Sequence, residues 1–269
     1  MDELQSLVRI QSQLPDVHSD TIFSVLGFPV NNTTLALILI AIFIAMIVII
    51  FRVISSEKPG KFQNVVEMTY EMLVSLITSV AGSNKVAMKL LPFVGTIFIF
   101  VFLSNFYGLI PGLNELTFAG KPLLRQPTTD FNTTLSLAVL MLFLIQLASI
   151  KDFGIVGYFG RFIKIKELYH GFRSGISGFL LSIIEACIGI LDIISEIAKV
   201  VSLSLRLFGN MYAGQVLATV ILAGFAYGVP AIWMAMSTLS AVVQTLVFAL
   251  LVTAYYTTSV SPEPSRSGV

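Results

Sequence analysis

The stretch VVSLSLRLFGNMYAGQ, from Val200 to Gln215, places one arginine, Arg206, among residues apolar enough to lie in a bilayer. Between Lys199 and Glu263 no other side chain is charged. A guanidinium keeps its proton under almost any burial, so Arg206 is a permanent cation. A charge inside a membrane segment is costly and marks a functional site by default. The helical neighbours three and four residues away are Ser202, Leu203, Gly209 and Asn210, none of them a carboxylate. The chemistry open to Arg206 is therefore electrostatic: attraction of a carboxylate that is distant in this chain or carried by another one.

Other polar residues share its side of the segment. At about 100° per residue, Glu185, Asp192, Glu196, Lys199, Arg206 and Asn210 fall in a stripe roughly 80° wide. Such a stripe along a membrane helix implies an aqueous cavity or a facing partner. Two readings stay open for its carboxylates. Asp192 and Glu196 line a water-accessible proton path, or they form structural ion pairs, Glu196 and Lys199 being i,i+3 neighbours. Beside the arginine run small residues, Ser195, Ala198, Ser202, Gly209 and Ala213, which let another helix approach closely. That helix is either a span of this chain or an outside partner. Near the C-terminus, Ser237, Ser240, Gln244 and Tyr255 lie within about 60° of one another. This uncharged stripe lines a water path or makes interhelical hydrogen bonds.

The elements that must position these residues are membrane helices. Of 269 residues, 56% are hydrophobic and only 12% charged, too little polar surface for a soluble domain of this size. The apolar residues come in long runs rather than in alternation, which favours helices over a transmembrane barrel. The expected fold is all-α and polytopic, with about five spans near 35–54, 88–107, 134–150, 175–222 and 231–258. An amphipathic helix near 64–82 is expected to be interfacial or to pack on other spans. Residues 1–34 form an N-terminal segment without the pattern of a secretory signal, and 259–269 a polar tail. The fourth span, if one helix, is roughly 70 Å long at about 1.5 Å per residue, against a hydrocarbon core of about 30 Å. It is therefore expected to tilt strongly, as is the last. Lys and Arg concentrate around 52–89 and 151–173, which puts those loops in the cytoplasm, the N-terminus outside and the C-terminus inside.

Other chemistries are disfavoured. The net charge of +1 implies no attraction to nucleic acid. The single cysteine, Cys187, reads as a small buried apolar residue, and His18 and His170 are too isolated to suggest a metal site. No G-x-x-x-x-G-K-[ST] motif is present, so no nucleotide chemistry and no cofactor are expected in this chain.

Three motifs carry a resemblance. SLSLRLFGNMYAGQ is similar to the arginine motif of the a subunits of F-type ATP synthases. NFYGLIPG followed by PTTDFNTTL resembles the loop and next span of bacterial members, and QTLVFALLVTAYY resembles their last helix. The likeness runs collinearly from about residue 59 to 256. It implies a stator subunit in a bacterial plasma membrane, held by the b subunits of the peripheral stalk. It faces a rotating ring of c subunits, each with a membrane carboxylate. Two offset half-channels lead to that contact from opposite sides. Arg206 matches the essential arginine, which releases the facing carboxylate's proton by Coulomb attraction and blocks a short circuit. Asn210, Gln244 and Tyr255 match family polar positions, and Asp192 matches a carboxylate of the cytoplasmic half-channel, with Glu196 a second. Gln215 and Ser237 stand where many members carry Glu and His. Water ordered by Gln215, Ser237 and Gln244 would then serve the outer half-channel. The competing reading is a stand-alone channel or secondary transporter in which Arg206 binds an anionic substrate. The odd number of spans and the lack of paired broken helices argue against it.

Overall fold

The computed structural model describes residues 19, 21–25, 28–54, 60–110, 113, 117–118, 121–162, 176–224 and 229–260. The expectations for residues 1–18, for most of the basic loop (163–175) and for the tail (261–269) lie outside the described residues. In chain order come β1 (Thr21–Val25), β2 (Phe28–Asn31), α1 (Asn32–Ile54), α2 (Lys61–Ala81) and α3 (Asn84–Tyr107). Then follow β3 (Thr117–Phe118), β4 (Lys121–Pro122), a 3-10 turn (Pro127–Thr129), α4 (Phe131–Phe162), α5 (Ile176–Gly224) and α6 (Val229–Val260). The chain is an all-α polytopic membrane protein. By length and composition, α1, α3, α4 up to Ile155 and most of α6 can each cross a membrane. The charged segment forms one uninterrupted helix, α5, of 49 residues. No proline lies within it to break the hydrogen-bond ladder.

The chain divides into two compact units, and α4, α5 and α6 each contribute to both. The first comprises Met1–Thr134 and Leu205–Thr253. In it, β1 and β2 form an antiparallel hairpin, an element absent from the sequence expectations. Asn32, fully buried, opens α1 and donates from Nδ2 to Pro122 O at 3.5 Å, joining the hairpin region to the β4 strand. The outer faces of α1, with Ile42, Ile49 and Val53, are exposed, as lipid contact requires. α2 packs on α3 through buried Leu73 and Ile77, while Val65 and Met68 remain exposed. The sequence left open whether this helix is interfacial or packed on a span; it is packed. It stops at Gly82, whose φ of 68° suits a left-handed cap and whose N–H donates to Thr78 O. α3 contributes a buried face of Ala87, Leu90, Val94, Phe98 and Val101.

The second unit comprises Leu135–Ser204 and Ala254–Val269. Within α4 the backbone kinks at Gly154, with φ 73° and ψ 165°, a conformation open essentially to glycine alone. Ser149 Oγ donates to Ser259 O at 3.2 Å, tying α4 to the end of α6. Cys187 is exposed, which corrects the buried reading. An apolar helix face in a membrane is satisfied by lipid as well as by protein, so apolar surroundings in sequence do not fix burial.

Candidate functional site

In the first unit α5 is anchored by its buried residues Leu207 and Met211 and by Phe208, whose ring meets Phe131 edge-on at 5.6 Å. Arg206 lies on the exposed side, with no hydrogen bond or ion pair among the described residues. Of the small residues expected beside it, Gly209 is half-buried and Ala213 exposed in this unit, and Ser195, Ala198 and Ser202 are exposed in the second.

Asn210 follows one turn later and turns inward. Its Nδ2 donates to Ser240 Oγ at 3.0 Å, and that hydroxyl donates back to Asn210 Oδ1 at 3.2 Å. The two stripes read from the sequence thus meet here. Gln244 is buried on α6, and its Nε2 has no partner among the described residues; neither has Gln215 Oε1 on α5. Ser237 is half-buried and makes no hydrogen bond among the described residues. Buried polar atoms left unpaired by the protein are the kind that ordered water satisfies.

Sequence reasoning missed a further set of polar residues in this unit. Asn105 on α3 donates from Nδ2 to Thr245 Oγ1 on α6 at 3.2 Å, while its Oδ1 and the neighbouring Ser104 Oγ are buried without protein partners. Gln126 reaches back from the 3-10 turn, donating to Asn105 O at 3.4 Å and to Thr128 Oγ1 at 3.0 Å. Its amide fills the space where a Cβ at Gly108 would sit. Arg125, 8% exposed, donates to Thr129 O at 3.1 Å. Asp130 Oδ1 accepts the Asn132 N–H at 3.0 Å and caps α4. The signal was present: NFYGLIPG and RQPTTDFNTT hold an uncommon density of polar groups beside apolar spans.

In the second unit the i,i+3 pair expected from the sequence forms, with Lys199 Nζ 2.7 Å from Glu196 Oε1. Gln146 of α4 donates to Glu196 Oε2 at 2.8 Å. Tyr255 of α6 lies with its ring centroid 5.6 Å from Lys199 Nζ, a cation–π contact. Asp192 is half-buried and has no partner among the described residues. Nothing is described of the Glu185 side chain.

A family model described as ATP synthase A chain matches residues 33–257, nearly the whole of this arrangement. The chain belongs to the ATP synthase A chain family. Among its relatives is ATP synthase subunit a of Campylobacter curvus, 32% identical over 224 residues that cover 82% of this chain and 88% of the relative. The subunit a of Protochlamydia amoebophila is 29% identical over 284 residues, covering 96% and 94%. The chloroplastic subunit a of Oedogonium cardiacum is 36% identical over 214 residues, covering 77% and 75%. The family match includes Arg206 together with Asp192, Glu196, Asn210, Gln215, Ser237, Gln244 and Tyr255.

Proposed function

We propose that Arg206 is the fixed cation that meets, in succession, the membrane carboxylates of a rotating ring of c subunits. The chain is the proton-translocating stator subunit of an F-type ATP synthase. The observation that carries the role of Arg206 is its position: exposed, unpaired within the described residues, and flanked by small exposed side chains that admit a neighbouring helix. A guanidinium in so apolar a setting pulls strongly on any carboxylate brought beside it, which releases that group's proton. As the ring turns, the carboxylate passes on and the next arrives.

Protons reach and leave this contact by two half-channels. Asn210, Gln215, Ser237 and Gln244 serve the outer one, through water held by the unpaired Gln215 and Gln244 groups. Asp192 serves the inner one, which opens at the end of α5 preceded by the basic loop. Tyr255 stands beside it through Lys199. The N-terminus lies outside, the C-terminus in the cytoplasm of a bacterial cell, and b subunits hold the chain against the torque. No observation favours a stand-alone channel or transporter.

The test replaces Arg206 by Lys and by Ala in the whole complex and measures ATP synthesis in vesicles, with assembly checked in parallel. Loss of synthesis in assembled complexes is expected for both. Near-normal synthesis in either removes Arg206 from this role.

A further inference from the structure

Asp192 and Glu196 stand on successive turns of α5 and belong to one polar stripe, yet their surroundings differ. Glu196 is 8% exposed and has both oxygens engaged. Oε1 meets Lys199 Nζ at 2.7 Å and Oε2 accepts from Gln146 Nε2 at 2.8 Å. Lys199 Nζ is in turn 5.6 Å from the centroid of the Tyr255 ring. Residues of α4, α5 and α6 thus converge on one charge pair inside the second unit. Asp192 is half-buried, with no hydrogen-bond or ion-pair partner among the described residues.

A carboxylate that relays protons needs an oxygen open to water and surroundings that tolerate both of its states. Glu196 has neither. An ammonium has only donors, and the amide nitrogen of Gln146 is also a donor, so both Glu196 oxygens are held as acceptors. Breaking the pair would leave an uncompensated charge at a largely buried site, a costly outcome. Among the described residues, the ionisable groups on the packed elements are Lys151, Asp152, Tyr158 and Arg161 on α4, Glu185, Asp192, Lys199, Arg206 and Tyr212 on α5, with the lone thiol of Cys187, and Tyr255 and Tyr256 on α6; of these only Lys199 pairs with Glu196.

We propose that Gln146 is a positioning residue that, together with Lys199, holds both oxygens of Glu196 in a closed hydrogen-bonded pair, so that Asp192 is the one of the two carboxylates left open to serve the ion path. The inference rests on the reading of α5 as part of an ion path. The locked pair is neutral as a unit, so it presents neither a trap nor a strong barrier to a proton one turn away. Without the lock, a second proton-binding site opens beside Asp192.

The test is ATP-driven proton pumping by the whole complex in proteoliposomes, followed as a function of pH. Gln146→Leu removes the donor to Oε2. Its pH profile is expected to gain an inflection that the unaltered complex lacks and that disappears in Gln146→Leu/Glu196→Gln. Should Gln146→Leu fail to assemble, Gln146→Met, of similar length and without a donor, carries the same expectation. Glu196→Gln/Lys199→Gln should pump within about threefold of the unaltered complex, because neutral replacement of a whole buried pair is well tolerated. Asp192→Asn should lose at least about tenfold, the scale of a lost proton-transfer group. An unchanged profile in the Gln146 variants overturns the proposal, as does an assembled neutral-pair variant that loses as much as Asp192→Asn. Undiminished pumping by Asp192→Asn overturns the underlying ion-path reading of α5, and this proposal with it.

Discussion

Asn210 and Ser240 hold each other by two reciprocal hydrogen bonds, of 3.0 and 3.2 Å, between α5 and α6. The pair sits one turn beyond Arg206, with buried Leu207 and Met211 on either side of it in sequence. It fixes the rotation of α5 about its own axis at this level. That rotation decides whether the guanidinium faces outward. The two single alanine variants are expected to differ. Asn210→Ala leaves a serine hydroxyl that can turn to a carbonyl of its own helix. Ser240→Ala leaves an amide with both ends unpaired, the costlier loss. The midpoint of thermal dissociation of the solubilised complex should fall further for Ser240→Ala. The double variant should show a coupling of about 0.6 kcal/mol, the usual scale for such bonds in membranes.

Arg206→Lys keeps the charge but is expected to abolish coupled synthesis. A planar guanidinium can face two carboxylates at once through separate N–H groups, whereas an ammonium is a flexible point charge that can give up its proton when desolvated. Arg206→Ala is expected to add a passive leak, because no fixed cation then separates the half-channels. Acid-driven proton uptake by vesicles distinguishes the two variants. Equal and normal behaviour of both would remove the electrostatic gate from the mechanism.

Gly108→Ala tests the latch made by Gln126. The added methyl group would occupy the place of the Gln126 amide, and both bonds of that amide, to Asn105 O and Thr128 Oγ1, would be lost. A penalty of about 1–3 kcal/mol is expected, the cost of burying unpaired polar groups. In a Gln126→Ala background the same substitution should cost much less, since the space is then free. Complex yield and melting midpoint measure both. Equal penalties in the two backgrounds would show that the crowding lies elsewhere.

Asp130→Ala removes the cap on the Asn132 N–H at the start of α4 and should cost about 1 kcal/mol. Asp130→Asn and Asp130→Ser, which keep an acceptor oxygen, should retain most of that stability. A series in which Asn and Ser melt with Ala would mean that the carboxylate acts through its charge and not as a cap.

Much of this protein is set by local properties of its chain. The long apolar runs determined the all-helical membrane class, because a bilayer leaves few other ways to satisfy backbone groups. Absence of proline from the charged segment determined that α5 is one helix. The isolation of Arg206 was legible because it depends only on which residues lie within a turn of it, and the Glu196–Lys199 pair was legible for the same reason. The tertiary structure decided what depends on neighbours far away in sequence. The Gln146 bond to Glu196 spans 50 residues and the Asn105 bond to Thr245 spans 140. Both depend on which helices lie side by side and how each is rotated. A helical wheel groups residues on one face but does not say whether protein, lipid or another subunit covers that face. Cys187 and the two carboxylates of α5 therefore needed the fold: each sits in a stretch of similar composition, and only packing separates an exposed thiol from a buried one and a carboxylate with two partners from one with none among the described residues.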